Sequence, residues 1–204
     1  MKCSLPIMSI LLVLFAVPAF CSVIDFDDVA NPEGAIQNGY NGFNWNNFWT
    51  TTCTVPSGYC AGTVSSPLVA YNGYGSSAGL STTDGTTFTF VSTYLTSAWY
   101  DNLAVDIKGY LEGTLVDETN IIPSTTIPTL YSFNWAGIDE LTFSTSGGTL
   151  HPGYSEPCCE APSFAMDNFT FQTDTPEPAS ATLLGGALVG LLVTKFRAVR
   201  RSRS

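Results

Sequence analysis

The sequence predicts an all-β domain, an antiparallel two-sheet sandwich of jelly-roll type, framed by hydrophobic segments at both ends. Three observations carry this. Apolar and polar residues alternate in short runs, the period of half-buried strands. Gly- and Pro-rich turns separate the runs closely, as in sandwiches. No long stretch has the 3.6-residue period of an amphipathic helix. Between the terminal segments lie about 150 residues, enough for one domain with its own core.

Residues 1–21 read as an export signal. Lys2 precedes an apolar run from Leu5 to Phe20, and Ala19-Phe20-Cys21 sets up cleavage before Ser22. Acylation of Cys21 is the weaker reading, because Phe20 stands where a lipoprotein signal has a small residue.

The body, residues 22–174, follows. "SVIDFDD" places Ile24 and Phe26 on one face and Asp25 and Asp27 on the other. "TTFTFVS" alternates Phe88 and Phe90 with threonine. "NLAVDIKGY" turns Leu103, Val105 and Ile107 inward and Asp106 and Lys108 outward. "LYSFNW" aligns Tyr131, Phe133 and Trp135, and "DELTFST" aligns Leu141 and Phe143. "PLVAYN", "YLTSAWY", "TLVDET" and the closing "SFAMDNFTFQT" bring the expected count to eight to ten strands. In the closing run Phe164 and Met166 share one parity, Phe169 and Phe171 the other. A bulge at Asp167-Asn168 lets one strand bury both sets. By fold-level analogy, the first and last strands pair.

Residues 35–49, "AIQNGYNGFNWNNFW", interleave five aromatics with five asparagines. Aromatic faces flanked by amides are the chemistry of sugar recognition, and equally of a capped core with asparagine turns. Trp45, Trp49 and Tyr59 are the candidate glycan-binding residues. Asp25, Asp27, Asp28 and Asp167 are a tentative calcium set, since that cation takes several oxygen ligands. A solvated acidic edge is the alternative.

Four cysteines remain in the body: Cys53, Cys60, Cys158 and Cys159. An even number in an exported chain indicates disulfides. A bridge between sequence neighbours is strained, so each of Cys53 and Cys60 is expected to pair with one of Cys158 and Cys159. No catalytic residue stands out. His151 is the only histidine, on a Gly/Pro-rich loop, and no nucleophile elbow or metalloprotease motif is present.

Charge is sharply segregated. The chain holds seven basic and seventeen acidic residues, a net of −10. The segment 22–178 carries all seventeen acids against the single cation Lys108, a net of −16. Such a body does not suit nucleic acid. Five of the seven cations, Lys195, Arg197, Arg200, Arg201 and Arg203, form a basic stop-transfer tail over 195–204. Before it, Ala179 to Thr194 is uncharged and, as a helix, spans roughly 24 Å. With Lys195 snorkelling, a membrane helix over about 179–196 is expected, its tail cytoplasmic and the acidic body outside.

Pro176-Glu177-Pro178, the Gly/Leu-rich run and the basic end together resemble the PEP-CTERM sorting signal of Gram-negative bacteria, over residues 175–204. The resemblance implies recognition by exosortase, a membrane-embedded transpeptidase-like enzyme, and cleavage near the triplet. The tail is longer than usual and is interrupted by Phe196, Ala198 and Val199. In "NGYNGFNWNNF", "TSAWYDNLAVDIKGYLEG", "GIDELTFSTSGGT" and "FAMDNFTF" the body resembles the globular part of many PEP-CTERM proteins, which implies a fold and no activity. The expectation is an exported, membrane-tethered cell-envelope or extracellular-matrix protein, its body in contact with extracellular polysaccharide. The alternatives are a glycoside hydrolase or lyase on the same scaffold and a purely structural surface protein.

Overall fold

The computed structural model describes residues 21–155 and 161–173. In chain order the elements are β1 (Cys21–Ile24), β2 (Phe43–Asn46), β3 (Phe48–Thr52), α1 (Gly58–Gly62), β4 (Leu68–Asn72), β5 (Ala78–Thr82), β6 (Phe88–Ser97), β7 (Tyr100–Leu111), β8 (Thr114–Ile121), β9 (Thr129–Ile138), β10 (Glu140–Leu150) and β11 (Phe164–Thr173). All strand pairings are antiparallel. One sheet runs β3-β4-β11-β6-β9, with β1 also on β11; the other runs β2-β5-β10-β7-β8.

The sheets pack face to face through phenylalanine. Phe43 meets Phe171 with ring centroids 4.9 Å apart and Phe48 meets Phe143 at 5.6 Å across the sheets, and within the first sheet Phe90 stacks on Phe169 at 5.0 Å. Edge-to-face and offset geometries of this kind add to what burial alone contributes. The alternation expected of β7 holds. Leu103, Val105 and Ile107 are fully buried, while Asp106 and Lys108 point outward and form an ion pair at 3.0 Å.

Consecutive strands cross between sheets on very short links. A single residue, Asn47, separates β2 from β3, and Asp139 alone separates β9 from β10. Asn47 adopts φ 55°, which asparagine tolerates better than most residues. Its Nδ2 donates to the carbonyls of Gly73 and Ser77, each at 3.0 Å, which fixes the corner. Among the described residues there are eleven strands, more than expected. The additional β2, β3 and β5 are only four or five residues long. "YLTSAWY" is not a strand of its own; it spans the end of β6, a corner at Ala98-Trp99 and the start of β7.

The terminal strands do pair: Cys21 faces Gln172 and Ile24 faces Phe169. β11 has its irregularity where parity required one. The register with β6 shifts between Asp167 and Thr170, Asn168 takes φ 49°, and Phe164, Met166, Phe169 and Phe171 all reach the core. Along one edge of β11, β4 pairs with Ala165 and Met166 before the bulge, and β1 takes over after it.

Candidate functional site

The stretch 35–49 comes apart in the fold. In β2 the alternation Phe-Asn-Trp-Asn sends both rings inward and both amides outward. Trp45, one of the glycan-binding candidates, is 5% exposed. Its ring packs against Phe26, Phe43 and Phe48, and its Nε1 donates to the Tyr40 carbonyl at 3.0 Å. It is a core residue, because parity in β2 aims it between the sheets. Trp49 and Tyr59 belong to a different surface.

That surface is a belt of rings along the outside of the first sheet and around its end. Trp49 on β3 stands directly opposite Tyr71 on β4. The row continues through Ala165 on β11 and Thr96 on β6. Both are small, and α1 lies over them. It can do so because its own residues are small as well: a Cβ on Gly62 would come within 2.9 Å of the Ala165 methyl, and one on Gly58 would strike the Ser97 carbonyl. Seated there, α1 brings the Tyr59 ring to 5.1 Å from Tyr71 and 5.5 Å from Trp99. Trp99 leads to Tyr154 at 6.3 Å, and Tyr154 to His151 at 4.5 Å. At the other end Trp49 lies over Gly73, where a Cβ would sit 2.5 Å from the indole, and meets Tyr74 at 5.8 Å. Tyr74 is 72% exposed; Trp49, Tyr71, Tyr59 and Tyr154 are half-buried, and Trp99 is buried beneath them.

Two carboxylates sit beside the belt. Glu33 accepts from the Thr52 N–H at 2.7 Å and the Thr51 hydroxyl at 3.0 Å. Burial pushes its carboxyl up, but the hydrogen bonds from Thr52 and Thr51 together hold it below the ordinary range. Burial, and then the charge of Glu33, raise the Tyr71 phenol. At the far end Asp101 accepts from the Thr125 hydroxyl at 2.6 Å and lies 2.9 Å from His151 Nδ1. The Thr125 hydrogen bond holds Asp101 below its usual range against a small desolvation cost, with His151 adding to it. Thr125 is 3.3 Å from the same Nδ1. Hydroxyl and carboxylate therefore share one side of the ring. A nucleophile–base–carboxylate relay needs them on opposite nitrogens, so this trio is a brace for the Tyr154 loop. The Tyr154 hydroxyl in turn donates to the Thr125 carbonyl at 2.9 Å.

The cysteines pair differently from the expectation. Cys53 is bonded to Cys60, seven residues on, because the first turn of α1 folds back to bring their Cα atoms within 4.6 Å. The bridge ties the helix that carries Tyr59 to the strand that carries Trp49. Cys158 and Cys159 lie outside the described residues, as do residues 1–20 of the export signal, the sorting triplet Pro176, Glu177 and Pro178, the expected membrane helix, and the tail residues Lys195, Arg197, Arg200, Arg201 and Arg203; Cys21, the last residue of the expected signal, lies in β1. Among the described residues no helix is long and apolar enough to cross a membrane.

The tentative calcium ligands are near one another but are engaged by protein donors. Asp27 accepts from the Leu68 N–H at 2.8 Å, Asp28 from the Tyr40 hydroxyl at 2.6 Å, and Asp25 from the Asp27 N–H at 3.3 Å. Asp167 is fully buried. Its Oδ2 accepts from the N–H groups of Val64 and Ser65 at 2.7 and 2.8 Å, and its Oδ1 from the Ser65 hydroxyl and the Asn168 N–H at 2.8 and 2.7 Å. The loop over 64–68 comes between Asp167 and the first strand. No group of three acidic, His or Cys side chains suited to a metal occurs among the described residues.

No family model matches the chain, and neither does any curated protein. Among solved structures it is similar to a DUF4465 family protein from Bacteroides ovatus, at 13% identity and a TM-score of 0.43, over 78% of this chain and 96% of that one. It is also similar to TmCBM61, solved in complex with β-1,4-galactotriose, at 7% identity and a TM-score of 0.36, over 68% of this chain and 94% of that one.

Proposed function

We propose that the protein is an exported, membrane-tethered component of the cell envelope or extracellular matrix whose body binds glycan on the aromatic belt. The observation that carries this is the belt itself: segments distant in sequence bring Tyr74, Trp49, Tyr71, Tyr59 and Tyr154 together at the surface, with the buried Trp99 linking Tyr59 to Tyr154. Rings held by neighbouring rings are pre-ordered, so a sugar that stacks on them orders little further. The work of the site is adhesion, with no bond made or broken. The acidic body favours neutral over acidic polymers. Presentation rests on the termini. The export signal delivers the body across the membrane, the apolar run near the C-terminus holds it, and exosortase processes it at the Pro-Glu-Pro triplet.

The test is retention of the full chain on insoluble extracellular polysaccharide. Tyr74→Ala removes the most exposed ring of the belt and leaves the core alone. It is expected to weaken retention about three- to tenfold, the worth of one aromatic contact. Trp49→Ala should weaken it at least as much. Unchanged retention in both variants would remove the belt as the binding surface.

A further inference from the structure

The asparagines that β2 sends outward have a setting of their own. On the outer face of the second sheet, β2, β5 and β10 form a groove of about 400 Å³. Its lining includes Asn38, Asn44, Asn46, Ser81, Glu140 and Thr142. The strand register sets these side chains in two rows. Asn44 faces Ser81, which faces Glu140; Asn46 faces Gly79, which faces Thr142. Gly79 leaves the middle of the second row without a side chain, and a Cβ there would sit 2.8 Å from the Leu141 carbonyl. The second row therefore has no side chain between Asn46 and Thr142.

None of the six polar side chains has a hydrogen bond or ion pair to the protein among the described residues. Other asparagines are used structurally: Asn47 holds the β2–β3 corner, and Asn72 accepts from the Phe164 N–H at 2.8 Å. Asn38, Asn44 and Asn46 do no such work. Each amide offers a donor beside an acceptor, which matches two adjacent hydroxyls. Neighbours within a row lie about 4.8 Å apart from strand to strand, and the two rows lie about 6.8 Å apart along the strands, a two-dimensional lattice of such groups. Glu140 adds an acceptor and a negative charge. No aromatic face covers the groove, because the Trp45 ring points into the core.

We propose that this groove is a second binding site, for a neutral, polyhydroxylated glycan chain held by hydroxyl–amide hydrogen bonds. Only the class of ligand is shared with the belt. The groove lies on the other sheet and shares no residue with it, so either site can fail alone. Glu140 and the surrounding negative charge select against uronate polymers.

The experiment titrates the full chain in detergent with cellotetraose, mannotetraose and galactotetraose, with tetragalacturonate as the anionic control. Carbodiimide footprinting follows Glu140 by mass. Asn44→Ala/Asn46→Ala is the test variant; neither side chain has a hydrogen-bond partner among the described residues, and a melting curve confirms its fold. The expected result is binding of at least one neutral tetrasaccharide that shields Glu140 from labelling. The double variant should shift the sugar concentration that shields Glu140 roughly tenfold upward, and Tyr74→Ala, on the other sheet, should leave that Glu140 shielding unchanged. Glu140 labelled equally with and without every neutral sugar would overturn the proposal, as would equal binding of tetragalacturonate. Binding lost in Tyr74→Ala and intact in the double variant would also overturn it, leaving the belt as the site.

Discussion

Asp167 shows how one residue joins distant parts of the chain. Its carboxylate takes two N–H groups and a hydroxyl from Val64 and Ser65, about a hundred residues earlier. Asp167→Asn would aim an amide N–H₂ at donors, leaving at least one buried N–H without an acceptor. The expected loss is about 1–3 kcal/mol in urea denaturation at pH 7.5. Protonation is easier to accommodate. The Ser65 hydroxyl is 3.2 Å from the Asp25 carbonyl and can turn to it, accepting from the protonated acid. Burial raises the Asp167 carboxyl to about 6, against the pull of its donors. An acid raised above its unfolded value of about 3.9 stabilises the fold most below that value and loses the contribution as pH rises through 6. The wild type should therefore gain more stability than Asp167→Asn when both are moved from pH 7.5 to 4.5; equal gains would refute this. Glu33 and Asp101, both lowered, act oppositely: their contributions are present above the ordinary values of 4.5 and 3.8 and are lost as pH falls through the lowered folded values. The need for a bulge at Asp167 was legible from the parity of the phenylalanines around it. Its burial was not, because nothing local to "AMDN" announces a loop arriving from Val64 and Ser65.

Among the elements, α1 is the least legible and the most consequential. Five residues, "GYCAG", have no period and contain two glycines, which favour helix poorly. The helix forms because its glycines let it settle on Ala165 and Thr96, and because Cys60 is bonded to Cys53. Cys53→Ser/Cys60→Ser should lower stability by about 2–3 kcal/mol, from the short loop the bridge closes. It should also free Tyr59 from Tyr71 and Trp99, seen as a change in near-ultraviolet circular dichroism larger than the stability loss explains. An unchanged spectrum would mean that packing alone seats the helix. The long strands were legible because each carries two or more turns of a two-residue pattern. In β2 the pattern was present but read as one mixed surface. Alternation in fact divides "FNWN" into core and groove. The belt residues Tyr71, Tyr74, Trp99 and Tyr154 were missed because they are single aromatics on separate segments, and only the pairing of β3 with β4 and the seating of α1 bring them together.

At the scale of the whole molecule, charge divides the chain into an acidic body and a basic end. Millimolar calcium should leave the melting temperature unchanged, since the four candidate aspartates already accept hydrogen bonds from the protein; a rise of several degrees would indicate a bound ion. Replacing Pro176-Glu177-Pro178 by alanines should leave export intact but retain the full-length form in the membrane. Intact mass decides it: wild-type protein released at the surface of an exosortase-bearing host should lack the Arg-rich tail. The two-sheet architecture could be read from alternation and turn spacing. The crossing of strands between sheets could not, because it depends on single residues such as Asn47 and Asp139. The position of β11 has a mechanical consequence. It is flanked by β6 on one side and by β4 and then β1 on the other. A pull on the chain beyond Thr173 loads this strand along its length. The hydrogen bonds to all three neighbours then bear the force together, in shear, where a strand at the margin would peel away one bond at a time.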